Sequence, residues 1–437
     1  MMFVHGPLYA LDDDPTGTQA VTHARVVCRW DDDQVARAAA GAPGSIHLLT
    51  NSRALEPGSA RRVTADAARA VRAAAPSAWP LLRGDSTLRA HVAEEYDGLL
   101  DAYPEHRGAP LVLVPALPAA GRVTVGGRHF QDHPGGGRTA LEDTEYARDP
   151  AFAYTTAELL AWAAERSGGR FRRDAGQVVA LTDLRRSAGR AVAQALAAAG
   201  PESCVALDAE TNADLELIAA GLRAAPRAVV RCAPALVSAL AGNAARGLAD
   251  PGPIAGGVLV CVGSFVSLAT RQLVALRAAA PTTTVEVDAR ALTSADAAAE
   301  IERVAARVRA AIAPGHAAVV ATPRTLDRSL DSLTVRARLA DNLAAVVAHC
   351  HEAAGAVVAK GGITSAVTVT RGLGATLADV LGPIAPGVAL WRTLDGPGRG
   401  TPYAIVPGNV GDDDLLATVV RRLLNIDDEA HRARIPA

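Results

Sequence analysis

The sequence predicts an α/β protein of two domains, each with a mainly parallel sheet flanked by helices. Three observations carry this reading. Short apolar, β-branched runs recur between long Ala-, Arg-, Leu- and Glu-rich stretches, as strands alternate with helices in α/β proteins. At 437 residues the chain exceeds what one hydrophobic core usually serves. A Gly-, Ala- and Pro-rich passage from about Ala241 to Gly257 reads as a linker, so domains are expected over 1–245 and 246–437.

In the first half, strands are expected at Leu8 to Leu11, Ile46 to Thr50, Leu81 to Arg83, Leu111 to Val114, Val178 to Leu181, Val205 to Leu207 and Val229 to Arg231. They suggest one open sheet, and several end in polar residues where a helix should begin. In such sheets ligands collect beyond the carboxyl ends of the strands. The second half offers Val258 to Val262, Thr284 to Val287, Ala318 to Ala321, Ala356 to Ala359, Val388 to Trp391 and Ala404 to Val406. Pro251 to Thr270 is uncharged and about as long as a membrane span, but Pro251, Pro253 and four glycines interrupt it. It reads as strand, turn and helix start.

Hydrophobic residues make up 49% and charged residues 21%, which argues against disorder. A formal net charge of -2 supplies no field to attract nucleic acid or an anionic membrane, so an anionic ligand must be held locally. The five cysteines are scattered without a C-x-x-C pair, which fits a reducing cytosol. The stretch Met1 to Pro7 does not resemble a secretory signal. A cytoplasmic protein is expected. Among 44 Lys and Arg residues only Lys360 is a lysine. That is either chance in an Arg-rich chain or a site needing a compact ammonium.

The first strand leads into Asp12-Asp13-Asp14-Pro15-Thr16-Gly17-Thr18-Gln19. Adjacent carboxylates at the end of a buried strand repel one another unless a cation, an arginine or a substrate hydroxyl uses them. The alternative is a solvated acidic turn. An aspartate here could take the proton from a hydroxyl attacking phosphorus. Next comes Arg83-Gly84-Asp85-Ser86-Thr87-Leu88-Arg89, where Asp85 and Ser86 can cap a helix and the arginines supply forks suited to a carboxylate. A capped helix with surface arginines is the plainer reading. Pro115 to Tyr146 is long, polar and Gly-rich, as a lid or binding loop would be. Its His129 and His133 could bind a metal or simply form hydrogen bonds.

In the second half, Gly263-Ser264 and Ser267 follow a strand where backbone N–H groups can hold phosphate. Lys360-Gly361-Gly362-Ile363-Thr364-Ser365 repeats that arrangement with the sole lysine on the turn, as a β- or γ-phosphate requires. Pro407-Gly408-Asn409-Val410-Gly411 follows the last strand, and Asp412 to Asp414 beyond it either hold Mg²⁺ through water or cap a helix.

Together these segments, with Pro115 to Gly121, resemble the four-carbon acid sugar kinase family, whose members phosphorylate acids such as threonate, erythronate or 3-oxo-tetronate. The likeness runs nearly end to end. It implies an N-terminal sugar-acid domain and a C-terminal nucleotide domain that close around the reactants, placing the active site in the interdomain cleft. Asp13, Asp14, Arg83, Asp85, Ser86 and Arg89 would face the acid. Gly263, Ser264, Ser267, Lys360, Gly361, Gly362, Ile363, Thr364, Gly408 and Asn409 would face ATP, with Mg²⁺ as the accompanying ion and its ligands unassigned. Many members carry Leu or Phe where this chain has Pro15, and Gly where it has Ala90, so it resembles a distinct branch.

The expected reaction is transfer from Mg-ATP to a hydroxyl of a short sugar acid. Asp13 or Asp14 would be the base, Arg83 and Arg89 the carboxylate clamp, and Lys360 the phosphate cradle. Homodimerisation is left open. Two rivals stand beside it. Asp12-Asp13-Asp14-Pro15-Thr16 also fits the D-x-D-x-T of haloacid dehalogenase-type phosphatases, with Asp12 as nucleophile. A non-catalytic sugar-acid binding protein would suit two lobes but not the phosphate-type turns.

Overall fold

A computed structural model describes residues 6–41, 43–133, 135–324 and 332–426. The Met1 to His5 stretch read for a secretory signal lies outside the described residues. The chain forms two compact units, Met1–Ala244 and Ala245–Ala437.

The first unit contains β1 (Leu8–Asp12), β2 (Ala24–Val27), β3 (Ser45–Leu49), β4 (Leu81–Arg83), β5 (Leu111–Val114) and β6 (Arg122–Val125). β7 (Arg128–Asp132), β8 (Arg138–Ala140), β9 (Gln177–Val179), β10 (Cys204–Leu207) and β11 (Val229–Cys232) complete it. Its main sheet runs β2-β3-β1-β4-β11-β5-β10-β9, and every neighbouring pair is parallel. Parallel strands are covered on both faces, which is why β5 and β10 are uninterrupted apolar runs. The chain leaves β1 toward β3 on one side and returns to β4 on the other, so β1 and β4 flank a topological switch point. Their ends are level: Asp12 pairs with Leu49 and Arg83, and Arg83 with Cys232.

The expected binding loop over Pro115 to Tyr146 contains regular structure. β6, β7 and β8 form an antiparallel sheet, with β6 and β7 joined by Gly126-Gly127 at φ 61° and 74°. Two consecutive positive φ values are what a tight primed hairpin turn demands. β2 was also not expected, because four residues interrupted by Arg25 give a faint apolar signal.

The second unit contains β12 (Gly257–Val262), β13 (Thr282–Glu286), β14 (Ala317–Ala321), β15 (Ala354–Lys360), β16 (Leu377–Ala385), β17 (Val388–Thr393) and β18 (Pro402–Val406). The order is β13-β14-β12-β15-β18-β17-β16, parallel as far as β18, with β17 antiparallel to both β18 and β16. β16 escapes a sequence reading because Gly382-Pro383 interrupts it, and irregular register there accommodates the proline. Pro251 to Thr270 is linker, strand, turn and the start of helix Ser267–Ala279, as its composition predicts. Val258, Val260, Val319, Val358 and Val406 pack against Leu273 and Leu276 of that helix and Leu416, Val419 and Leu423 of helix Leu415–Leu423. Among the described residues no helix is long and apolar enough to cross a membrane. All five cysteines are buried and free.

Candidate functional site

The level strand ends of the first unit deliver four segments to one place. Asp12, Asp13 and Asp14 leave β1, and Arg53 follows β3. Gly84 and Asp85 follow β4, and Arg231 precedes the last residue of β11. Asp12 is held by His47 Nδ1 at 3.1 Å and lies 3.3 Å from Arg83 Nε. Burial alone would raise its pKa, but Arg83 and His47 outweigh burial and hold it below the usual carboxylate value. Asp14 caps the short turn Pro15–Thr18, with Oδ1 accepting from Thr16 N at 2.9 Å and Arg83 Nη2 at 3.2 Å. Its Oδ2 pairs with Arg53 Nη2. Asp13 Oδ1 accepts from Arg83 Nη1 at 3.0 Å. A side chain at Gly17 would strike Arg83 and Asp12, so glycine is what lets this loop cross the cluster.

Arg83 and Arg89, expected to clamp a substrate carboxylate, are committed to internal carboxylates. Arg83 is 2% exposed. Burial disfavours its charge, yet Asp12 and Asp13 more than offset this and raise its pKa. Arg89 Nε donates to Asp85 Oδ2 at 2.7 Å, and Nη1 lies 3.4 Å from Asp149. Asp85 also meets Arg53 Nη1 at 3.3 Å; although it is buried, these arginines keep its pKa well below the usual range. Ser86 is buried, and its carbonyl accepts from His129 Nε2 at 2.9 Å.

Four buried atoms of this cluster make no hydrogen bond among the described residues: Asp12 Oδ1 and Arg83 Nε, which face each other at 3.3 Å, and one atom each of Asp13 and Arg231. Asp13 Oδ2 is buried and accepts no hydrogen bond, and Arg231 Nη2 is buried and donates none. They stand 3.8 Å apart. Arg231 is anchored through Nη1 to Glu95, which also accepts from Ser52 Oγ at 2.6 Å. Gly84 has no side chain, which leaves room for that guanidinium. A small pocket beside it is lined by Asp85, Leu88, Leu113, Leu159 and Trp162. The sequence reading passed over Arg53, Arg231, His47 and Glu95. For Arg231 a signal was present: a charge ending an otherwise apolar strand.

In the second unit, Val262, Lys360 and Val406 sit level at the ends of β12, β15 and β18. The expected phosphate turns leave from these positions and meet. A Cβ on Gly263 would strike the Thr364 hydroxyl, one on Gly361 would lie 3.2 Å from Ser264 Cβ, and one on Gly408 would lie 3.1 Å from Ser264 Oγ. Gly361 has φ 113°, which only glycine adopts readily. Lys360 is 0% exposed, and Nζ donates to Pro407 O at 2.6 Å. Burial pushes its ammonium down to about 7, and among the described residues no carboxylate pairs with it. Gly362 opens helix Gly362–Val367, while Ser267 and Ile363 are exposed and Asn409 is half-buried.

The two histidines of the Pro115 to Tyr146 stretch diverge. His129 bonds Thr124 Oγ1 at 2.9 Å and is driven by burial down to about 4, whereas His133 bonds Thr139 Oγ1 at 2.8 Å. Asp413 pairs with Arg271 at 2.7 Å, and Asp414 precedes helix Leu415–Leu423 as its cap residue. Among the described residues no group of three or more His, Cys, Asp or Glu side chains is placed to hold a metal ion.

Comparison with known proteins follows the same division. A model described as a sugar-binding N-terminal domain matches residues 8–240, and one described as a nucleotide-binding C-terminal domain matches residues 259–416. The chain is 32% identical over 411 residues to a D-erythronate kinase of Heliobacterium modesticaldum (strain ATCC 51547 / Ice1), covering 89% of each. Among solved structures it resembles a Salmonella typhimurium LT2 protein with a TM-score of 0.71 at 21% identity, covering 95% of this chain and 99% of that one. It also resembles Haemophilus influenzae protein HI1011 with a TM-score of 0.62 at 19% identity, covering 95% and 100%. At such identities these two speak for the fold alone.

Proposed function

The chain belongs to the four-carbon acid sugar kinase family, and from that premise we propose that it transfers the γ-phosphoryl group of Mg-ATP to a hydroxyl of a four-carbon sugar acid, D-erythronate being the first to test. Kinase chemistry on a sugar-acid hydroxyl follows from the family; the particular acid and the use of ATP are the proposal. One observation carries it: the sole lysine is buried, with no carboxylate partner among the described residues, where three glycine turns meet. A buried ammonium is costly unless an anion joins it, and a triphosphate supplies that anion.

Phosphoryl transfer asks the protein mainly for positioning and charge neutralisation. A hydroxyl needs one acceptor and one donor, and Asp13 Oδ2 and Arg231 Nη2 are an unused acceptor and an unused donor. A substrate hydroxyl seated there gives its proton to Asp13 as its oxygen bonds to the γ-phosphorus and the bond to the β-phosphate oxygen breaks, releasing ADP. Asp13 therefore serves as the base. Asp14, whose two oxygens are already engaged, acts as scaffold. Asp12, pinned by His47 and Arg83, is a poor nucleophile for the phosphatase alternative. Lys360 and the turn amides hold the phosphates. Mg²⁺ enters as part of the nucleotide substrate.

The test incubates the protein with Mg-ATP and a panel of four- and five-carbon sugar acids and follows ADP release and product mass. A product heavier by one phosphoryl group with a four-carbon acid supports the proposal. ATP left intact with every acid overturns it.

A further inference from the structure

Arg324 belongs to no motif read from the sequence. It follows β14, whose last residue Ala321 is level with Val262 of β12, so it emerges at the same end of this sheet as Lys360. Its guanidinium crosses the Ser264 turn: Nη2 donates to Ser264 O, and Nε donates to Thr270 Oγ1 at 3.1 Å. The remaining nitrogen, Nη1, is buried with no hydrogen-bond partner. Ser264 is the residue that Gly361 and Gly408 both approach, so Arg324 braces the point where the turns meet.

The charge balance at this point contrasts with that around several other arginines. Arg83, Arg89, Arg185 and Arg303 each have a carboxylate within 3.3 Å. Arg324 makes no ion pair with a carboxylate among the described residues, although Glu286 is near enough to favour its charge and Arg277 to oppose it, and Lys360 makes none either. Burial lowers the pKa of both, as expected where a cation lacks a counter-ion. Two cations without an ion-pair partner, one on the Pro407–Gly408 turn and one on the Ser264 turn that it approaches, suit an anion, and a guanidinium with a spare N–H suits a phosphate oxygen.

We infer that Arg324 is a phosphate-binding residue, donating through Nη1 to a nucleotide phosphate while its other nitrogens fix the Ser264 turn. This rests on the nucleotide reading above and adds to it a second cation, from a strand end that no glycine motif marks.

The test measures ATP affinity by calorimetry for the full-length wild type, Arg324→Gln and Arg324→Lys, with ligand-free melting temperatures. Arg324→Gln is expected to weaken ATP binding by about tenfold to a hundredfold, the scale of a lost charge-assisted hydrogen bond. Its melting temperature should stay near that of wild type, because the half-buried guanidinium gives up its desolvation cost together with its bonds to Ser264 and Thr270. Arg324→Lys keeps a cation but not the fork to Ser264 and Thr270, so recovery to within about fivefold of wild type assigns the effect to phosphate charge and not to bracing. Wild-type affinity in Arg324→Gln overturns the inference, as does a lysine variant as weak as the glutamine variant. Wild-type protein that binds no ATP removes the parent reading, a failure distinct from either.

Discussion

The two charged clusters solve opposite problems. In the first unit Asp12, Asp13, Asp14, Asp85 and Glu95 interlock with Arg53, Arg83, Arg89 and Arg231, so nearly every buried charge has an opposite within reach. In the second unit Lys360 and Arg324 stand at the glycine turns with no ion-pair partner among the described residues. The first cluster is organised before any ligand arrives and offers its few spare hydrogen-bonding atoms to uncharged hydroxyls. The second carries cations without an ion-pair partner among the described residues, and on the function proposed above an anion completes it. A kinase for a hydroxy-acid needs both kinds: a rigid seat for the acceptor, and a seat whose electrostatics reward the polyphosphate.

The sharpest way to break this contrast is Asp13→Asn, which keeps the shape and removes the proton acceptor. Turnover should fall about a hundredfold to ten-thousandfold while ATP affinity stays near wild type. Steady-state kinetics beside calorimetry would separate the two, and near-normal kcat would dismiss Asp13 as the base. Arg83→Met tests the claim of prior organisation. Removing one member of a buried ion network should destabilise the first unit by about 3–5 kcal/mol, because Asp12, Asp13 and Asp14 are left facing one another. A urea melt showing less than about 1 kcal/mol would mean the network is not holding the fold.

Lys360→Met should do the reverse, weakening ATP binding while stabilising the ligand-free protein near neutral pH. The sign follows from linkage. The unfolded chain keeps the lysine proton up to about 10.5, the folded chain only to about 7. Between those values the unfolded state holds more protons, so wild-type stability should climb as pH rises through the window, and the penalty is full below it. The methionine variant should lose that slope. Nucleotide binding just above neutrality should also draw a proton onto Lys360, visible as a dependence of binding heat on the buffer's ionisation heat. Buffer-independent heats would dismiss it.

The smallest expected effect concerns His129, buried and neutral in the hairpin strand β7. Its folded value of about 4 against an ordinary 6.5 means the unfolded state binds more protons across that interval. Stability should therefore drop on acidification through it. Comparing urea midpoints at about pH 7 and about pH 4.5 for wild type and His129→Gln would show the wild type losing more. Equal losses would assign the acid sensitivity elsewhere.

Much of this arrangement was readable along the chain wherever the physics is local. Leu111 to Val114 and Val258 to Val262 announce buried strands because a strand covered on both faces must be apolar at every position. Gly263, Gly361 and Gly408 announce close backbone approach, and the structure brings their turns together. The Gly126-Gly127 hairpin signal was also present, but the polar residues around it masked it. Arg53 and Arg324 left no such mark, since one arginine after a strand looks like any other in a chain this rich in them.

The strands other than β2, β6, β7, β8 and β16, the acidic loop after β1, the lysine-bearing turn after β15 and the family likeness were determined by the sequence alone, because each rests on residue type and short-range spacing. Which side chains have anything left to offer was decided only by the tertiary structure. Arg83 and Arg89 look available in sequence and are held by internal carboxylates in space, while Arg231 and Arg324 look ordinary and keep a spare donor. Hydrogen-bond and charge satisfaction depend on neighbours from distant parts of the chain, and no local pattern encodes them.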